Sequence, residues 1–436
     1  MTRLLRTLRS GVAPRVAALA ATVLGGPLPV RLRAWDGSEA GPDSGPVVVL
    51  RHRRALRRLL WQPGELGLAE AYIAQDVDVE GELTEGLRSM WAAAREHGLR
   101  APRATPTDRA RAAALAIRLG ALGPRPPAPA GRARLHGSPH SRARDRAAIS
   151  HHYDLSNTFY QRLLDETMAY SCGYWARTDS GFTPADAQRA KLELICRKLA
   201  LRPGTRLLDI GCGWGSLTLH AAEHHGVSVT AVTLAGQQAA HVRERVRARG
   251  LSDRVEVVCQ DYRDIEGGGF DGVAAVEMGE HVGDGQYPAF AEALCRLVMP
   301  SGRVLVQQMS RRHNAPGGGP FIETYIAPDM HMRPLGETTG LLEAAGLEVR
   351  HVEAMREDYV RTIAAWHHTL EADWDGFVGL VGEEAARVWR LYLAGGGLAF
   401  EQGRMGVDQI LCVRPGPGVS AAATDVPTWY EGLADR

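Results

Sequence analysis

The sequence holds no C-x-x-C pair. Its 6 cysteines (Cys172, Cys196, Cys212, Cys259, Cys295 and Cys412) are scattered through 436 residues. That excludes a disulfide scaffold and a cysteine-built zinc site, so no metal is expected, and it points to a reducing cytosol. No apolar run approaches the roughly 20 residues that a membrane-spanning helix needs. Internal repeats are absent, which excludes a solenoid. The basic stretch 1–26 has an apolar run from Val16 to Leu24 but no convincing cleavage site. It fits an amphipathic helix on a membrane surface or ordinary terminal packing better than an export signal. Lysine is missing from residues 1–150, where 24 Arg stand against 13 Asp plus Glu, a net +11. The whole chain is only +1, so the remainder carries −10. A basic front half suits an anionic partner, either a lipid surface or a nucleic acid.

What is present reads as two globular domains with a linker. Residues 1–100 predict a small α+β domain, with a strand at Val47 to Leu50 and helices over 53–60 and 66–74. Residues 101–147, rich in Pro, Ala and Arg, read as a flexible or partly helical linker. Residues 148–415 alternate strands and helices, and 416–436 read as a loose tail. In the large region, strands are expected at 206–210, 227–232, 255–259, 272–276 and 302–306, with helices at 217–225, 238–249 and 288–297. This is an α/β pattern: a Rossmann-like parallel sheet with helices on both faces. Its ligand crevice would lie at the carboxyl ends of the strands.

Between the first of these strands and its helix lie Asp209, Gly211, Gly213 and Gly215. The G-x-G-x-G spacing differs from the G-x-G-x-x-G of dinucleotide binders. An acid at the strand end suits the ammonium group of S-adenosylmethionine, which has no pyrophosphate to cradle. Thr233 and Gln238, after the second strand, would serve the ribose hydroxyls as neutral groups. After the third, Asp261 would accept from the adenine amine and Tyr262 would pack on its face.

Five runs, HHYDLSN (151–157), YSCGYW (170–175), LDIGCGWG (208–215), EHVG (280–283) and DYVRT (358–362), occur in this order. Together they resemble the cyclopropane-fatty-acyl-phospholipid synthase family, including mycolic acid cyclopropane synthases and 10-methylene-stearate synthases. The resemblance covers 148–412 strongly and 28–100 weakly. It implies a class I methyltransferase fold and assigns Tyr170 and Ser171 to the cofactor. Cys172, Glu280 and Tyr359 are assigned to the surroundings of a bicarbonate ion, and Tyr153 to the acyl channel or cofactor lid. The implied reaction adds one carbon to the double bond of an unsaturated phospholipid acyl chain through a carbocation. Proton loss then closes a cyclopropane, or yields a 10-methylene chain if a hydride shifts first. A small bound bicarbonate would take the proton, with Glu280 orienting it and Tyr359 relaying. Water must be kept out, since it would trap the cation.

The sequence departs from the family at several points. Gln307, Gln308 and Met309 replace a His-Thr-Ile run whose His binds bicarbonate, so ion binding is altered there. A cysteine usual near the C-terminus is absent from 393–397. The segment 325–334 looks closer to the methylene-stearate branch. Cyclopropane formation is the first expectation and the 10-methylene product the alternative. A soluble-acceptor methyltransferase and a non-catalytic lipid- or RNA-binding protein are weaker readings. The expected setting is the cytoplasm with peripheral membrane association, phospholipid rather than nucleic acid as partner, and a homodimer left open.

Overall fold

The computed structural model describes residues 11–96, 105–133, 135–153, 157–312, 317–416 and 426–435. It divides into two compact units, Met1–Arg132 with Glu371–Leu398, and Ala133–Leu370 with Ala399–Arg436.

In the first unit, β1 (Arg31–Ala34), β2 (Glu39–Ala40), β3 (Val47–Leu50) and β4 (Val77–Glu80) form a sheet of order β2-β1-β3-β4. β1 and β3 run parallel; the two outer pairings are antiparallel. β3 is the strand expected from its valine run, and the helices expected beside it are Arg54–Trp61 and Glu65–Ile73. Residues 105–133 include the helix Pro106–Arg118. The helix Val12–Leu24 lacks a side-chain cap of its own. Its first amides are satisfied from the β1–β2 turn instead: Val12 N donates to Asp36 Oδ2 and Ala13 N to Ser38 Oγ, both at 2.9 Å.

A buried ion cluster ties this unit together. Arg58 lies 3.3 Å from Asp76 and 3.8 Å from Glu70, all three buried. Removing one partner of such a pair strands the others. Arg54 still reaches Asp76 and Arg132 still reaches Glu70, so the loss falls at the low end of the usual range. Arg58→Leu is expected to destabilise this unit by about 3 kcal/mol. A denaturant midpoint unchanged by the substitution would refute that.

In the second unit, β5 (Arg206–Ile210), β6 (Ser228–Thr233), β7 (Val255–Cys259), β8 (Phe270–Val276), β9 (Val298–Ser310), β10 (Glu348–Ala354) and β11 (Gly406–Val413) form one sheet of order β10-β11-β9-β8-β5-β6-β7. β5 to β9 pair in parallel. The expected all-parallel sheet is corrected in one respect: β11 runs antiparallel to both β9 and β10. Sequence periodicity did not mark β10, which is only half-buried, or β11, which follows a long helical stretch. Successive residues of a strand face opposite sides. Leu208 and Val273 therefore join one apolar cluster, and Leu207 and Ala274 the other. Both faces are covered, as in doubly wound sheets.

The helix Pro184–Lys198 packs into this unit and starts with a capping box. Thr183 Oγ1 accepts from Asp186 N at 3.2 Å, Asp186 Oδ2 accepts from Thr183 N at 2.8 Å, and Pro184 fits the first turn. The strand order reverses between β5 and β8, which opens the crevice. Among the described residues no helix is long and apolar enough to cross a membrane.

Candidate active site

The turn after β5 is forced by its glycines. Gly211 and Gly215 have φ of 82° and 83°. A Cβ at Gly215 would stand 2.9 Å from Val242, and one at Gly211 3.0 Å from Met278. The turn opens a cavity lined by Tyr170, Ser171, Asp209, Gly211, Gly213, Thr233, Gln238 and Tyr262, all named from sequence. Gly215 and Asp261 are not part of the lining. Gly215 precedes the helix Ser216–His224. Asp261 is clasped by Arg263, whose Nε donates at 2.8 Å and whose Nη2 donates at 2.6 Å. Arg263 also holds Asp145 at 2.8 Å.

Asp209 is buried and accepts from Thr218 Oγ1 at 2.7 Å. Burial pushes its carboxyl up to about 6. Thr233 Oγ1 donates to Gln238 Oε1 at 2.9 Å, so the two neutral groups expected at the ribose hold each other in place. Trp214, also in the lining, donates to Asn157 Oδ1 at 3.1 Å and packs on Tyr160. Tyr170 packs on Trp366. The side chain of Tyr153 lies outside the described residues; its backbone ends the helix Arg142–Tyr153.

The residues associated with bicarbonate converge on a different carboxylate. Cys172 N and Gln307 Nε2 each donate to Glu277 Oε1 at 2.8 Å, and Tyr359 Oη donates to Glu277 Oε2 at 2.7 Å. Glu277 follows β8 and lines the cavity. Burial raises its pKa, against the pull of Tyr359, Cys172, Gln307 and the nearby Lys191.

Glu280, three residues on, is buried outside the cavity lining, and its Oε2 has no hydrogen-bond partner. Burial, then the charge of Glu277, pushes its pKa well above the usual carboxylate range. The Cys172 thiol is likewise pushed well up by burial, so it stays neutral; the residue serves the cluster through its backbone, its N–H donating to Glu277 and its carbonyl accepting from Gln307 Nε2 at 3.5 Å.

Among the lining residues that the sequence reading did not assign are Glu277, Lys191 and His281. Lys191 is buried, and its Nζ donates to Ser171 Oγ at 2.7 Å. Burial lowers its pKa against the pull of Glu277, Asp165 and Asp209. His281 is held neutral, its pKa lowered to about 4 by burial. One signal for Lys191 was available. The chain has only two lysines, Lys191 and Lys198, among 51 Lys plus Arg, and both are buried.

Residues 140–410 match the family model described as mycolic acid cyclopropane synthetase. A probable fatty acid methyltransferase of Pseudomonas putida is 35% identical over 396 residues, 89% of this chain and 92% of the relative. A tuberculostearic acid methyltransferase of Mycobacterium tuberculosis is 32% identical over 409 residues, 89% of each. Among solved structures, a mycolic acid cyclopropane synthase complexed with SAH has a TM-score of 0.58 at 30% identity, covering 62% of this chain and 98% of its own.

Proposed function

The chain belongs to the mycolic acid cyclopropane synthetase family and is an S-adenosylmethionine-dependent methyltransferase of the class I fold, and on that premise we propose that it adds one carbon to the double bond of an unsaturated phospholipid acyl chain. The observation carrying this reading is a half-buried, donor-ringed carboxylate, Glu277, lining the same cavity as Asp209 and the glycine turn. A base held by three protein donors suits an alkene reaction that must lose a proton from carbon.

When bound, S-adenosylmethionine supplies an electrophilic methyl group. Asp209 holds its ammonium end, Thr233 and Gln238 its ribose, and Tyr262 its adenine. Tyr170, Ser171 and the glycine turn complete the hold. Asp209 must be ionised to attract an ammonium, so cofactor affinity is expected to fall as pH drops through about 6. Titration calorimetry across pH tests this. In Asp209→Asn affinity should be weak and flat with pH, and a wild-type profile in that variant would refute the role.

The product is first read as a 10-methylene chain, with cyclopropane second. Relatives named as fatty acid and tuberculostearic acid methyltransferases align over 89% of the chain, whereas the cyclopropane synthase structure covers 62%. Segment 325–334 leans the same way. Incubation with oleoyl phospholipid vesicles and mass spectrometry of the acyl chains tests both steps. A gain of one CH₂ supports the class, fragmentation separates the products, and no gain with intact cofactor binding would refute it.

A peripheral membrane role is supported by the Arg-rich first unit, which exposes Trp61, Leu68, Ile117 and Leu122. Attraction to anionic lipid should weaken with salt. Flotation with anionic vesicles at rising ionic strength checks it; salt-independent binding would argue against it.

A further inference from the structure

The groups that the family resemblance would give to a bicarbonate ion are already occupied by an anion of the chain itself. Cys172 N–H, Gln307 Nε2 and Tyr359 Oη come from a loop, from β9 and from the helix Arg356–Ala372, and all three end on the two oxygens of Glu277. Gln307 is not free to turn its amide round. Gln409 Nε2 donates to its Oε1 at 2.9 Å, and Lys198 Nζ donates to Gln409 Oε1 at 2.8 Å. A buried ammonium thus fixes, through two amides, the donor face that Gln307 shows to Glu277. Titratable Lys198 is paired in turn with Glu353.

The backbone gives a second, independent observation. Glu277 has φ of 51°, in the left-handed region that glycine adopts freely and that strains other residues. The strain places the carboxylate at the meeting point of the three donors, on the cavity wall. An ion of bicarbonate's shape would need those same donors, so the site as built does not fit it.

We propose that Glu277 is the general base of the reaction, its carboxylate standing in the place of bicarbonate, so that turnover needs no bicarbonate. The inference rests on the alkene reading above. The proton leaves the newly added carbon. Its C–H bonding pair closes the ring, or forms the methylene double bond where a hydride has shifted first. The proton moves to a Glu277 oxygen, turning carboxylate into carboxylic acid and discharging the cation. Three charge-assisted donors engage the lone pairs of that carboxylate, which lowers its tendency to be alkylated.

The test uses the full chain with S-adenosylmethionine and oleoyl phospholipid vesicles, in buffer stripped of carbonate and then with bicarbonate restored. The wild type should be equally active in both. Glu277→Gln should lose roughly 100-fold or more while still binding cofactor. Glu277→Gly relieves the strained φ and leaves the donors facing a carboxylate-sized gap. It should be nearly inactive alone and regain product with added bicarbonate or formate. Carbon-13 bicarbonate observed by NMR in the presence of S-adenosylhomocysteine reads the site without turnover: bound in Glu277→Gly, unbound in the wild type. A wild type that needs bicarbonate or binds it there, or a fully active Glu277→Gln, would overturn the proposal. If the wild type makes no acyl product, the alkene reading fails instead, and the labelled-ion measurement still decides whether Glu277 fills the ion's place.

Discussion

Near pH 8, Glu280→Gln is expected to unfold at a higher temperature than the wild type while turning over roughly 100-fold more slowly. Glu280 is buried, its Oε2 has no partner, and burial together with the Glu277 charge raises its pKa well above 4.5. Below 4.5 both folded and unfolded chains carry the proton, and the residue adds no pH dependence. Above it the unfolded chain releases the proton and the folded chain keeps it. Stability is therefore lost as pH rises, by about 1.4 kcal/mol per unit until the folded value is reached. Glutamine has no proton to lose, so the gap between the two proteins should open with rising pH and close below 4.5. The activity loss has a separate cause. Once Glu277 has accepted a proton, protonated Glu280 nearby can pass its own proton on and take that one over, a relay that restores the Glu277 carboxylate and that an amide cannot perform. Melting curves against pH check the first part and acyl product yields the second. A pH-independent difference in melting temperature would show that Glu280 is not protonated in the fold, and an undiminished rate would remove it from the proton path.

Local signals were legible in the sequence and distant convergence was not. The apolar run 206–210, the three glycines and the following helix sit side by side, so strand, turn and cofactor pocket could be read together. Asp209, Thr233, Gln238 and Tyr262 followed from their places at strand ends, and all line the cavity. β10 and β11 escaped because neither forms a local unit with a flanking helix pattern of the same kind. Glu277 escaped for a deeper reason. Its partners lie 105, 30 and 82 residues away, at Cys172, Gln307 and Tyr359. Nothing in its own neighbourhood distinguishes it from a strand-end glutamate, and the family motif drew attention to Glu280 instead. Cys172 shows the converse. The resemblance assigned it to the surroundings of an ion, and the fold uses its backbone N–H, which any residue could supply.

Replacing Lys191 by Met is expected to raise two pH profiles at once. The buried ammonium lowers the pKa of both Asp209 and Glu277, one proposed for the cofactor and the other for the proton. Met keeps most of the side-chain volume without the charge, so packing should survive, although Ser171 Oγ loses its donor. Without the cation, Asp209 would move up from about 6 toward neutrality. A shift of one unit would take Asp209 from mostly ionised to about half ionised at pH 7, so cofactor binding should weaken by roughly 2-fold there and by a factor approaching 10 near pH 5. Glu277 would also be protonated over more of the working range, and the acid limb of kcat/KM should move up with it. Calorimetry for the cofactor and rate profiles for acyl product, both taken across pH, separate the possibilities. If only the affinity profile moves, Lys191 serves Asp209 alone. If neither moves, the lysine is a packing element that happens to carry a charge. Coupled movement of both would mean that one buried cation keeps the binding carboxylate and the basic carboxylate ionised together, so the base is ready under the same conditions in which the methyl donor is held.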